Sequence, residues 1–264
     1  MHPGPVTDPD PAADQPPILL DVADGVAVLT LNRPHASNAF GLDMMRAVED
    51  ALSRLAHDDV RVVVVRGAGA RFCAGGDVTS FLGSDDPAAR LHELAVLAES
   101  GLRRLGDLPK PVVVGIHGAV AGAGLSFVLN ADLVVAARST RIVAAYPGVG
   151  LTPDAGTSWL LPRAVGTQRA LKHLLLNEPL SAEQAREWGL VAEVVDDDAV
   201  VARTDEIAAK LAAMPPNALA EAKRLVRSAA SASRADNAAD EAATISRALL
   251  TEDAQAAIAR FTAR

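Results

Sequence analysis

The chain has 264 residues, half of them apolar and 22% charged, which suits one large domain with a sizeable core and excludes wholesale disorder. Its 25 basic and 33 acidic residues leave a net charge of −8, which excludes a general nucleic-acid binder but not a local basic pocket for an anionic cofactor. One cysteine, Cys73, excludes an intramolecular disulfide and any cysteine-rich zinc or iron–sulfur site.

Residues 1–17 hold six of the sixteen prolines and almost no large apolar side chain, so they are predicted to be a disordered tail. They also lack the basic-then-apolar order of a secretory signal, and no apolar run reaches the about 20 residues of a membrane span. A soluble, cytoplasmic protein without a membrane partner is the expectation. Ile18–Val22 and Val26–Leu31 read as strands joined by a turn at Ala23-Asp24-Gly25. Leu42, Met45, Val48, Leu52 and Leu55 fall at helical spacing over 42–55. Val60–Val65 is a buried-type strand, Asp86–Leu105 a helix, and Val112–Ile116 and Leu133–Ala137 two further strands. Strands alternating with helices predict an α/β fold with crossovers and largely parallel pairing. Beyond that, Ser181 and Gln184 form a capping box for a helix running to Trp188 with Gly189 at its end. Helices follow over 217–230, 235–250 and 253–261. Their amphipathic stripes need either their own core or a neighbouring subunit.

Several motifs are absent. There is no P-loop, Gly122-Ala-Gly124 lacks the third glycine of a dinucleotide fingerprint, and Val128 stands where a nucleophile elbow after Ser126 needs glycine. The six histidines show no ligand spacing, so no metal site is expected. Two glycine-bearing loops do follow apolar strands: Phe72-Cys-Ala-Gly-Gly-Asp77 and Gly118-Ala-Val-Ala-Gly-Ala-Gly124. Such loops either pack a helix tightly on a strand or present convergent N–H groups to an anionic oxygen. Together with Asn32-Arg-Pro34, Asn38-Ala39, Ala131-Asp132 and Gly150-Leu-Thr-Pro-Asp154, in that order, they resemble the crotonase superfamily, the enoyl-CoA hydratase/isomerase family, from about Ile18 to Arg264.

The resemblance implies a crotonase-like spiral of ββα units over 18–200. A C-terminal helical region over 201–264 would complete the CoA site and build a homotrimer, or a hexamer as a dimer of trimers. It implies an acyl-CoA thioester as substrate, with coenzyme A entering only as part of that substrate and no separate cofactor. Gly76 and Ala123 would supply the two backbone N–H groups of an oxyanion hole. The two glutamates of enoyl-CoA hydratases fall on Ser126 and Tyr146, neither of which is a carboxylate. Asp154 matches the aspartate of the isomerase-like branch, a base for moving a proton beside a polarised carbonyl; on local sequence it also reads as the N-cap of a helix over 155–161. His35, Ala36, Ala74, Asp77 and Val78 would line the CoA moiety, Ser126 and Tyr146 the acyl pocket, and Phe261 and Arg264 would reach a neighbour's CoA. An enoyl-CoA isomerase is expected first, with an enoyl-CoA hydratase or a non-catalytic CoA-ester-binding protein as alternatives. Cys73 is expected to pack as a small apolar side chain.

Overall fold

A computed structural model of the chain describes residues 15–263. The expected tail and Arg264 therefore lie outside the described residues, apart from the tail's last three positions. There, Asn32 Nδ2 donates to Gln15 Oε1 and the Pro16 carbonyl, and the Asn32 N–H donates to the Pro17 carbonyl.

The strands are β1 (Ile18–Ala23), β2 (Val26–Leu31), β3 (Val62–Gly67), β4 (Val112–Ile116), β5 (Ala119–Ala121), β6 (Leu133–Ala137), β7 (Arg141–Val143), β8 (Leu180–Ser181) and β9 (Glu193–Val195). The helices are α1 (Leu42–Leu55), α2 (Val78–Leu82), α3 (Pro87–Gly106), α4 (Leu125–Asn130), α5 (Thr157–Val165), α6 (Thr167–Leu176), α7 (Ala182–Glu187), α8 (Val200–Ala212), α9 (Pro216–Ser228), α10 (Arg234–Ala248) and α11 (Glu252–Thr262). The main sheet runs β1-β2-β3-β4-β6-β9, and a smaller one runs β5-β7-β8. β1 and β2 form an antiparallel hairpin whose turn residues Asp24 and Gly25 both have positive φ, the twist that a two-residue hairpin loop requires. Every later neighbour in the main sheet is parallel.

The run Val62–Val65 is apolar at every position because both faces of the sheet are covered. Val63 and Val65 join the large core with Val112, Val114 and the buried stripes of α1 and α3, whereas Val62, Val64 and Val113 meet Ala208 and Ala212 of α8. α1 buries Leu42, Met45, Val48, Leu52 and Leu55 as its spacing predicts. Asp86 caps α3 by accepting the Ala89 N–H, and the capping box at Ser181 and Gln184 has both of its hydrogen bonds.

α8 packs on β3, β4 and β6. It covers the sheet face opposite α1 and α3, and the helices that follow it start at Pro216. α9 is fastened to the core by Lys223 and Arg227: Lys223 Nζ lies 2.7 Å and Arg227 Nη2 2.8 Å from the two oxygens of Asp132, and they also donate to the Lys110 and Asn130 carbonyls. α10 and α11 then pack on α9.

Candidate active site

Asn38 organises the first glycine-bearing loop. Fully buried and in the left-handed region (φ 54°), it donates from Nδ2 to the carbonyls of Ala68 and Arg71 at 2.8 Å each and accepts the Arg33 N–H on Oδ1. Arg33 reaches onward to the Ala39 carbonyl and to Asp77 Oδ2, the latter at 3.1 Å. Burial pushes the Asp77 carboxyl up, but hydrogen bonds from Thr79 and Arg33 hold it below its ordinary value. The Asn32-Arg-Pro34…Asn38 segment is thus a clamp under residues 72–77. Asp77 is a member of that clamp and does not line the cavity described below. His35 and Ala36 lie on the 3-10 turn Pro34–Ala36, also away from its walls.

The second loop is laid beside the first by backbone pairing: Cys73 N–H donates to Ala119 and Ala121 N–H to Cys73. The approach is close enough to demand glycine. A Cβ on Gly75, whose φ is +95°, would stand 2.7 Å from the Ala121 carbonyl oxygen and 3.3 Å from the Ala123 nitrogen. The two loops, more than forty residues apart in sequence, therefore meet where the sequence places Gly76 and Ala123. Neither N–H of that pair donates to any acceptor among the described residues. Phe127 of α4, the helix that follows the second loop, packs edge-on against Phe72 of the first loop and against Phe40, at centroid distances of 6.1 and 6.2 Å. Cys73 packs in this layer. It is fully buried, its Sγ donates to the Asn38 carbonyl, and burial pushes its thiol up to about 12, so it is no nucleophile.

Gly76 and Ala123 open onto a cavity of about 290 Å³. Ala74 and Val78 line it too, with Phe81 of α2, Leu91 and Ala95 of α3, and Val149, Leu151 and Thr152 of the segment after β7. Its titratable lining residues are Tyr146 and Asp154. Asp154 is not a helix cap: α5 begins at Thr157 behind Gly156, with no side-chain cap. Its carboxyl is instead mostly buried at the cavity wall. Burial raises its proton affinity, and a hydrogen bond from the Tyr146 hydroxyl to Oδ1, 3.0 Å long, offsets part of that rise. The same burial, followed by the charge of Asp154, pushes the Tyr146 hydroxyl well above the ordinary tyrosine range.

Ser126 departs from expectation. It is fully buried behind the wall, with its Oγ 2.9 Å from Thr157 Oγ1, and faces no ligand space. Thr157, which sequence reasoning missed, joins Ser126 to Tyr146, whose hydroxyl is 3.3 Å from Thr157 Oγ1. Phe261 is 80% exposed on α11 and belongs to no wall of the cavity. Among the described residues no group of three or more His, Cys, Asp or Glu could hold a metal ion, and no helix is long and apolar enough to cross a membrane.

The sequence model for enoyl-CoA hydratase/isomerase matches residues 21–264. The chain is 41% identical over 217 residues to the 1,2-epoxyphenylacetyl-CoA isomerase of Escherichia coli, covering 80% of this chain and 82% of that one. It is 36% identical over 215 residues to the trans-2-decenoyl-[acyl-carrier-protein] isomerase of Streptococcus mutans, covering 79% and 81%. Among solved structures, an enoyl-CoA hydratase from Polaromonas sp. superposes with a TM-score of 0.89 at 32% identity, over 93% of this chain and 96% of that one. The chain belongs to the enoyl-CoA hydratase/isomerase family, the crotonase superfamily, and has its fold.

Proposed function

We propose that the chain is an acyl-CoA isomerase in which Asp154 is the proton-transferring base and the N–H groups of Gly76 and Ala123 form an oxyanion hole. The observation that carries this reading is the cavity's composition: two unpartnered backbone donors and, among its lining residues, one carboxylate. In the proposed reaction the acyl thioester seats its carbonyl oxygen on the two amides. Asp154 removes a proton from a carbon conjugated with that carbonyl, and the C–H electron pair moves onto the oxygen as an enolate. The amides stabilise this charge as it develops. Asp154 then returns the proton to another conjugated carbon as the enolate's electrons reform the carbonyl, so the double bond shifts with no change in composition. A base whose proton affinity is raised by burial is better matched to a carbon acid than an exposed aspartate is. The apolar walls from Phe81, Leu91 and Leu151 suit an enoyl or ring-bearing acyl group.

Water addition is supported less well. The positions that carry glutamates in hydratases are here a sealed serine and a tyrosine whose hydroxyl is held protonated. Ala74 and Val78 are the proposed contacts for the pantetheine end, and a second copy of the chain, in a trimer or a pair of trimers, is the proposed cover for the apolar faces of α9–α11. The test is a mass-spectrometric screen of acyl-CoA thioesters in heavy-oxygen water, run on the wild type and on Asp154→Asn. A rearranged product without added mass, lost about 10³-fold in the variant, is expected. Heavy-oxygen incorporation, or full turnover by Asp154→Asn, overturns the reading.

A further inference from the structure

Tyr146 stands where the family's second catalytic glutamate falls, yet its hydroxyl does not face the cavity as a free group. It belongs to a buried line of four side chains: Ser126 Oγ to Thr157 Oγ1 at 2.9 Å, Thr157 Oγ1 to Tyr146 OH at 3.3 Å, and Tyr146 OH to Asp154 Oδ1 at 3.0 Å. An ionised carboxylate can only accept, which sets the sense of the whole line. Tyr146 gives its one proton to Asp154. Its oxygen must then accept from Thr157, whose oxygen accepts from Ser126. Every hydroxyl points toward the carboxylate, and each donation strengthens the next in this water-poor wall. The line ends on Oδ1 alone; Oδ2 takes no hydrogen bond from the described side chains.

We infer that Tyr146 is a positioning residue for the base: its hydroxyl, ordered by Thr157 and Ser126, fixes Oδ1 of Asp154, turns Oδ2 to the substrate and keeps the carboxylate ionised. The inference rests on the reading of Asp154 as base. A carboxylate that serves two carbons in turn must keep one oxygen in place between the two transfers, and a rigid partner on the other oxygen achieves that. The walls around Asp154 add no competing charge. α2 contributes Val78 and Phe81, α3 Leu91 and Ala95, the second loop Gly122 and Ala123, the segment after β7 Val149, Leu151 and Thr152, and α5 the hydroxyl of Thr157. Loss of the phenol hydroxyl therefore leaves burial unopposed, and the carboxyl's proton affinity rises.

The experiment compares wild type, Tyr146→Phe, Thr157→Val and Asp154→Asn. Activity needs the ionised base and fades as pH falls through its pKa, so a raised pKa moves the acid limb of kcat/KM upward. Tyr146→Phe is expected to move that limb up by about 1 to 2 pH units, lowering kcat below the limb with KM little changed. Thr157→Val, which keeps the phenol, moves it the same way by less. Infrared difference spectra against Asp154→Asn follow the same carboxyl without turnover, and its ionisation should move by an equal amount in Tyr146→Phe. An acid limb and a carboxyl band that stay in place in both variants overturn the inference. Full turnover by Asp154→Asn overturns the underlying reading of the base, while the infrared titration still reports whether Tyr146 controls the carboxyl.

Discussion

The cavity wall and the C-terminal helices are built on opposite principles. Beneath the cavity Phe40, Phe72 and Phe127 are fully covered, and most of the polar side chains are tied: the Asn38 side chain makes three hydrogen bonds, and Ser126, Thr157 and Tyr146 share one line. From Pro216 onward the fold has little interior of its own. α9 and α11 bury no residue, α10 buries only Thr244, and Val226, Ile245, Leu250 and Phe261 stand in the open. The first region is over-determined from within, as a site that must hold two amides and a carboxylate in register has to be. The second depends on its fastening to Asp132 and on whatever covers its apolar faces.

That contrast is sharpest where one side chain of α4 packs beneath the first loop. Phe127→Ala removes the ring that braces Phe40 and Phe72, and a loss of about 3 to 5 kcal/mol is expected in urea unfolding. A loss below about 1 kcal/mol would mean that the layer under the loops is not rigid. Asp132→Ala strips the charged partner from Lys223, whose ammonium is nearly enclosed, already lowered in pKa by burial, and left with the Lys110 carbonyl. It also deprives the Val112 N–H of its acceptor. About 3 kcal/mol is expected, with the loss of amide-exchange protection concentrated in α9–α11. Uniform loss across the sheet would erase the distinction between the two regions. The smallest effect belongs to Leu250→Ser combined with Phe261→Ser. It should change the stability of the single chain by no more than about 0.5 kcal/mol per site while lowering the sedimentation coefficient, as the proposed trimer requires. An unchanged sedimentation coefficient would leave those faces without a partner copy.

Long periodic elements were legible in the sequence. The spacing over 42–55 matches α1 end to end, and Val112–Ile116 and Leu133–Ala137 match β4 and β6. Val60–Val65 is displaced by two residues because Arg61 N–H still bonds the hairpin turn at Gly25, so ladder pairing opens at Val62. The small sheet escaped notice, since strands of two or three residues carry no period. α8 escaped for a different reason. Its core-facing positions Val200, Thr204, Ala208 and Ala212 recur every four residues, but half of them are alanine and one is threonine, which mutes the apolar signal. Within the site, Gly76, Ala123 and Asp154 were singled out through the family resemblance rather than by local pattern, and the fold brings all three to one cavity. The attachment of Tyr146 to Asp154 was not legible, since it exists only once the 3-10 turn Tyr146–Val149 and the start of α5 fold onto each other. Arg33 and Asn38 were recognisable as a motif, but their work as a clamp requires contacts across 30 to 44 residues.

The parallel ladder carries a consequence for how this chain is born. β3 cannot gain its second neighbour until α3 has formed and β4 has been synthesised some fifty residues later, and β4 waits in the same way for β6. Assembly thus proceeds through distant closures, which are slow because chain entropy is lost before any pairing is gained. Throughout that interval Val62–Val65, a charge-free stretch of branched side chains, is bare on one edge and on the face that α8 will cover. A nascent molecule is most exposed to sticking to its siblings at that stage, and a ribosome-side chaperone would find its target there.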